Sequence, residues 1–291
     1  MNKPVFRFAP SPNGELHLGH ALSALTGFEM ARRLGGRFLL RIEDIDIHRT
    51  RPAYVEGILA DLAWLGISWE EPVLRQSEHF DDYRNAARKL ERLGLLYPCF
   101  LTRAELAAAL SDKPAARDPD GAPLISRADH GLSAEEVERR LASQQSFALR
   151  IDMARAIAMM RDLLRGDALT FTEVDSAGSQ SHSIPAWPER WGDVVIVRKD
   201  IPASYHLAVV VDDARQGVTH VTRGLDLFAA TDVHRLLQVL LGLPEPVYHH
   251  HRLIADDGGR KLSKSARDTS LRALRSAGTT PDDVRRLIGF A

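Results

Sequence analysis

The chain has 291 residues, 44% hydrophobic and 26% charged, which suits one large or two modest globular domains. A net charge of −1 excludes a generic polyanion binder, so any nucleic-acid partner must meet a local basic patch. The single cysteine, Cys99, excludes an internal disulfide framework, and no apolar run forms a signal core or spans a bilayer, so a soluble cytoplasmic protein with no membrane contact is expected.

Val5 to Phe8 reads as a short strand, stopped by Pro10 and Pro12. From Leu18 apolar residues recur at helical spacing (Leu22, Leu25, Phe28, Leu34) until Gly35 and Gly36 end the helix. "RFLLRI", Arg37 to Ile42, is a second strand, and Pro52 opens a helix carrying Val55, Ile58, Leu59, Leu62 and Leu65 on one face. This strand–helix–strand–helix start predicts an α/β fold with a parallel sheet covered by helices.

The texture then changes. Residues 112–130, "DKPAARDPDGAPLISRADH", read as loop, and Ser133 with Glu136 forms a capping box for a short helix. "SFALRI" and "DVVIVR" read as strands around another loop-rich stretch, 175–191. Residues 98–200 therefore read as an inserted module, between a first half at 1–97 and a second at 201–242. In the second half "YHLAVVVDDARQG" fits buried helix and buried strand equally, whereas "VTHVTRG" alternates like a strand. Thr231 to Leu241 reads as a helix, and residues 243–291 end in a basic, glycine-containing loop and a short helix.

Two stretches carry chemistry. In "RFAPSPNGELHLGH", Arg7 to His20, a strand ends, the chain turns, and a helix begins near His17. Orphan N–H groups and the helix dipole make such a start an anion site. His17 and His20 share a face there, and Gly19 opens the backbone to a planar ligand at about 1 kcal/mol of helix propensity relative to Ala. The second stretch is "GGRKLSKS", Gly258 to Ser265, a cationic loop suited to the charge developing on a triphosphate. Taken singly, each also reads as an ordinary surface feature. The chain lacks both G-x-x-x-x-G-K-[ST] and G-x-G-x-x-G, so it is neither a P-loop protein nor a dinucleotide binder of the usual kind.

Together, "HLGH" after a first strand and "KLSKS" near the end resemble the two ATP-binding motifs of class I aminoacyl-tRNA synthetases. "RFAPSPNGELHLGHA", "RIEDID" and "VTHVTRGLDL" are similar to the glutamyl/glutaminyl branch of that family. The resemblance implies a split Rossmann-like catalytic domain interrupted by an α+β acceptor-binding-like module. It implies an enzyme that joins L-glutamate to ATP as glutamyl-AMP, releases pyrophosphate and transfers the glutamyl group to an RNA hydroxyl. It implies that His17, Gly19, His20, Lys261, Ser263 and Lys264 hold ATP, with His17, His20 and Lys264 catalytic and Mg2+ arriving with the nucleotide. It places glutamate on Arg7, Phe8, Ala9, Pro10, Ser11, Glu43, Tyr205 and Arg223. The chemistry agrees: glutamate needs cations for two carboxylates, which Arg matches bidentately, and an anion for its ammonium.

Only 26 residues follow Ser265, too few for an anticodon-binding domain. The chain therefore resembles the truncated branch of the family, which is similar to the catalytic half alone, and this implies glutamylation of the queuosine base in the anticodon of tRNA(Asp) by a monomer. Alternatives are a fragment charging the 3′ end of tRNA(Glu) or tRNA(Gln), and a nucleotide-dependent ligase that uses no tRNA. Members of that branch often hold zinc in the insert through a C-x-C pair, a Tyr and a later Cys. Here the pair reads Cys99-Phe100-Leu101 with no second cysteine, and His130 alone is a poor substitute. No structural zinc is expected, and Cys99 should be a half-buried hydrophobe. The run His249-His250-His251 is not read as a metal site, because adjacent strand residues face opposite sides.

Overall fold

The computed structural model describes residues 3–102, 104–106, 116–130, 132–254 and 269–290. Its strands are β1 (Val5–Phe8), β2 (Arg37–Ile42), β3 (Glu70–Arg75), β4 (Leu96–Cys99), β5 (Ala148–Ile151), β6 (Thr170–Val174), β7 (Ser181–Pro185), β8 (Val195–Val197), β9 (His220–Gly224) and β10 (Val247–His251). Its helices are α1 (Leu18–Arg33), α2 (Pro52–Trp64), α3 (Phe80–Arg92), α4 (Ala134–Ala142), α5 (Met153–Leu163), α6 (Tyr205–Arg215), α7 (Thr231–Leu241), α8 (Leu271–Ser276) and α9 (Pro281–Leu287).

The larger sheet runs in the order β3-β2-β1-β9-β10-β6-β7. All its pairings are parallel except β6 with β7. A smaller antiparallel sheet, β4-β5-β8, is inserted between its halves. The fold is thus α/β, Rossmann-like in its parallel sheet, with an antiparallel insertion. Residues 170–185 fall inside the 98–200 stretch yet form the far edge of the larger sheet. β7 also lies within the stretch read as loop-rich: its sequence, "SHSIP", is polar and largely exposed, so it lacks the alternation that marks a strand.

Both faces of the sheet are covered, and strand alternation sorts the residues between them. Phe6, Phe8, Phe38, Leu40 and Ile42 pack on the side of α1, α2 and the helices at 271–288. Val5 and Leu39 pack on the other side, with α3, α5, α6 and α7. Arg7 and Arg41 have the parity of Val5 and Leu39, so both point to the face covered by α6.

The ambiguous segment at 205–215 is helix, capped by the Ser204 hydroxyl, which accepts from the Leu207 N–H. Leu207, Ala208, Val209, Val210, Asp212 and Asp213 are all buried, which explains why its periodicity is weak. Cys99 is fully rather than half buried, at the end of β4, where it pairs with the buried Ala148 of β5.

Candidate active site

β1 is the point where the sheet's order reverses: β2 lies on one side of it and β9 on the other. Crevices in open α/β sheets lie outside the carboxyl ends of the strands at such a switch. Arg7 stands near the end of β1, Glu43 just after β2, Arg223 near the end of β9 and His251 at the end of β10. A cavity of about 500 Å³ opens there. It is lined by Arg7, Phe8, Ala9, Pro10, Ser11, His17, Gly19, His20, Glu43, Tyr205 and Arg223. Lys261, Ser263 and Lys264 lie outside the described residues. The residues flanking that segment reach the same place: Ile254 lines the cavity, and Ser270 pairs with His17 in an isolated bridge.

The helix start fixes the state of its histidines. His17 is the N-cap of α1, and its Nδ1 accepts from the Gly19 N–H at 3.1 Å. The His20 Nδ1 accepts in return from the His17 N–H at 3.2 Å. A nitrogen that accepts a backbone N–H carries no hydrogen, so in each neutral ring the hydrogen sits on Nε2. Both rings therefore carry their hydrogen on Nε2, at the positive end of the helix dipole. A Cβ on Gly19 would come within 2.9 Å of the His17 Cε1, so the glycine also makes room for the capping ring.

One wall of the cavity is an ion lattice. Arg7 is buried and donates from Nε and Nη2 to the two oxygens of Asp213, at 3.0 and 3.3 Å. Arg41 donates to the same Asp213 at 2.7 Å and to Glu43 at 3.1 Å. Asp212 accepts from Tyr83 and Gln76 behind them. Burial disfavours the Asp213 charge, but Arg7 and Arg41 outweigh it and hold the carboxyl below its ordinary range. At Glu43 the balance reverses, and burial lifts the carboxyl above its ordinary range against Arg41 and Arg7.

The opposite wall is neutral around its cation. Arg223 donates to His250 Nε2 at 3.1 Å, to His234 Nδ1 at 3.0 Å and to the Thr231 hydroxyl at 2.6 Å. It also stands over the Tyr248 ring, 5.3 Å from its centroid. Tyr205 packs edge-on against His206 and His234, with centroids 5.5 Å apart in each case. Sequence reasoning missed Asp213, Arg41, Thr231, His234 and His250. The fold supplies one of these contacts directly: parallel register places His250 opposite Arg223. Each ring of the histidine run is engaged locally, His249 at the Val174 carbonyl and His251 at that of Arg252. Among the described residues no group of three His, Cys, Asp or Glu side chains is placed to hold a metal ion. None of their helices is long and apolar enough to cross a membrane.

Residues 4–289 match the family model for the catalytic domain of class I tRNA synthetases (E and Q). The chain belongs to this family. It is an enzyme of the aminoacyl-tRNA synthetase type, and catalysis in the family depends on ATP and Mg2+. The chain is 45% identical to the Glutamyl-Q tRNA(Asp) synthetase of Rhodobacter capsulatus, covering 98% of this chain and 100% of that protein. It is 38% identical to the Glutamate–tRNA ligase of Aquifex aeolicus, over 97% of this chain but 56% of the ligase. A crystal structure of a glutamate tRNA ligase from Elizabethkingia meningosepticum, in complex with its amino acid, superposes with a TM-score of 0.71 at 28% identity. That match covers 91% of this chain and 52% of the ligase, so the synthetase spans about half the length of that solved relative.

Proposed function

We propose that this synthetase activates L-glutamate with ATP and transfers the glutamyl group to the queuosine base in the anticodon of tRNA(Asp). The observation that carries the activation step is the single cavity where Arg7, Glu43, Tyr205 and Arg223 meet the "HLGH" helix start. The acceptor is supported by the Rhodobacter capsulatus relative, which the chain covers along its whole length.

The residues suit the substrates. Arg223 takes a carboxylate of glutamate, Glu43 takes its ammonium, and Arg7, with Tyr205 and the Phe8–Ser11 turn, completes the amino-acid side. The Nε2–H groups of His17 and His20 and the open backbone at Gly19 take ATP, with which Mg2+ enters. A glutamate carboxylate then attacks the α-phosphate, giving glutamyl-AMP and pyrophosphate. Lys264, with Lys261 and Ser263, stabilises charge developing on the departing phosphates. Lys264→Ala should therefore lower the rate of glutamate-dependent pyrophosphate exchange far more than it weakens ATP binding. The single cysteine suits work in a reducing cytoplasm.

The test is to incubate the protein with ATP, labelled glutamate and tRNA with or without queuosine. Label confined to queuosine-containing tRNA(Asp), and surviving removal of the 3′ end, supports the proposal. Label on tRNA(Glu) regardless of queuosine overturns the acceptor, and absence of pyrophosphate exchange with glutamate overturns the activation step.

A further inference from the structure

The surroundings of Arg223 determine more than its position. Among the described residues no carboxylate lies within ion-pair distance of it, although it is buried. Its three hydrogen-bond partners come from β10 and α7. A guanidinium only donates, so His250 Nε2 and His234 Nδ1 must both be bare acceptors. In the neutral rings the hydrogens then sit on the other nitrogens. That of His250 points to Glu173 on β6, with Nδ1 2.8 Å from Oε2. That of His234 points to His206 Nδ1, 3.3 Å away. Burial and the charge of Arg223 hold His206 down to about 4 and push His234 well below its ordinary range. Burial also lowers His250, against the opposing pull of Glu173.

We propose that His234 and His250 are positioning residues for the amino-acid substrate: they orient Arg223 through neutral acceptors, so its charge stays uncompensated for a substrate carboxylate. Three of the five guanidinium N–H groups are consumed in holding it, and the two that remain match the two oxygens of one carboxylate. A carboxylate in either position would hold Arg223 equally well but would neutralise it. This inference rests on the glutamate-activating function proposed above.

The test uses the full chain and glutamate-dependent pyrophosphate exchange, with KM for glutamate and for ATP measured separately and the melting temperature recorded. Glutamine at 250 supplies an oxygen acceptor without charge, so His250→Gln should stay within about threefold of wild type in glutamate KM. His250→Ala should raise that KM about tenfold, in line with loss of a hydrogen bond to a charged group. His250→Glu should raise it furthest, about a hundredfold, whatever its cost in melting temperature beside Glu173. The KM for ATP should not move in any of the three. A second pair, His234→Asn against His234→Ala, should repeat the contrast and decides the matter if the His250 variants do not fold. Equal effects of Gln, Ala and Glu, an unchanged glutamate KM, or an equal rise in the ATP KM would overturn the inference. A wild-type protein without glutamate-dependent exchange would overturn the functional reading and this inference with it.

Discussion

Arg7 and Arg223 end neighbouring strands and line one cavity, yet their surroundings are opposite in kind. Arg7 sits in a lattice with Arg41, where the two guanidiniums face the carboxyls of Asp213, Asp212 and Glu43. Arg223 sits among imidazoles, a hydroxyl and a phenol ring. Taking a charge out of water is expensive, and the two walls meet that penalty differently. The first does so with opposite charge and gains rigidity. The second does so with hydrogen bonds alone and keeps its field. A ligand with an ammonium at one end and carboxylates elsewhere matches a cavity polarised in this way.

The largest expected effect tests the rigid wall. Among the described residues Asp213 is the one carboxylate that bonds both Arg7 and Arg41. Asp213→Ala leaves both guanidiniums buried beside a hole, and removing one partner of a buried pair typically destabilises by about 3–5 kcal/mol. Urea unfolding should report a loss of that order, against about 1–2 kcal/mol for Thr231→Val on the other wall, which removes one neutral acceptor. Equal losses at the two positions would erase the distinction between a lattice that holds shape and a cage that holds charge.

A smaller effect concerns the acidic end of the same wall. Glu43 must be ionised to hold an ammonium, and burial raises its carboxyl above the ordinary range despite Arg41 and Arg7. A raised pKa means that the charge is lost early as pH falls. The glutamate KM should therefore climb on acidification from a higher pH than an ordinary carboxylate would dictate. Glu43→Gln should raise that KM about tenfold or more at neutral pH and flatten its dependence on pH. A Gln variant that keeps the wild-type pH profile would mean that another group is titrating.

Much of this contrast was hidden in the sequence, though its frame was not. The strands at Val5–Phe8 and Arg37–Ile42 and the helix at Thr231–Leu241 are legible because each pairs a clear hydrophobic period with a Pro, Gly or polar stop. The helix at 205–215 was ambiguous because burial on nearly all sides removes the polar stripe that marks a period. β6 and β7 were not placed because β10, their route into the sheet, lies some 75 residues further along the chain. The residues around the cavity were found through motifs, and motifs name groups that face a ligand. Asp213, His234 and His250 face those groups instead, and only the fold brings them there. Asp232, His234, Arg235 and Gln238 on one buried helix were the available hint, since polar side chains so placed require partners.

The smallest effect should come from the helix start, which belongs to neither wall. Ala at position 19 is the better helix former by about 1 kcal/mol, so Gly19→Ala should leave stability unchanged or slightly raised. Its Cβ, however, would lie 2.9 Å from the His17 Cε1 and 3.1 Å from the Nδ1 that caps the helix. The ring must move, and with it the capping bond that holds the Nε2 hydrogen in place. The ATP KM should rise by about three- to tenfold while the glutamate KM and the urea midpoint stay put, a change equivalent to about 1 kcal/mol. Because α1 packs on the opposite face of the sheet from Asp213, this variant separates the nucleotide side from both arginine walls. A glutamate KM that rises in step would instead mean that the helix start, the lattice and the cage move as one body.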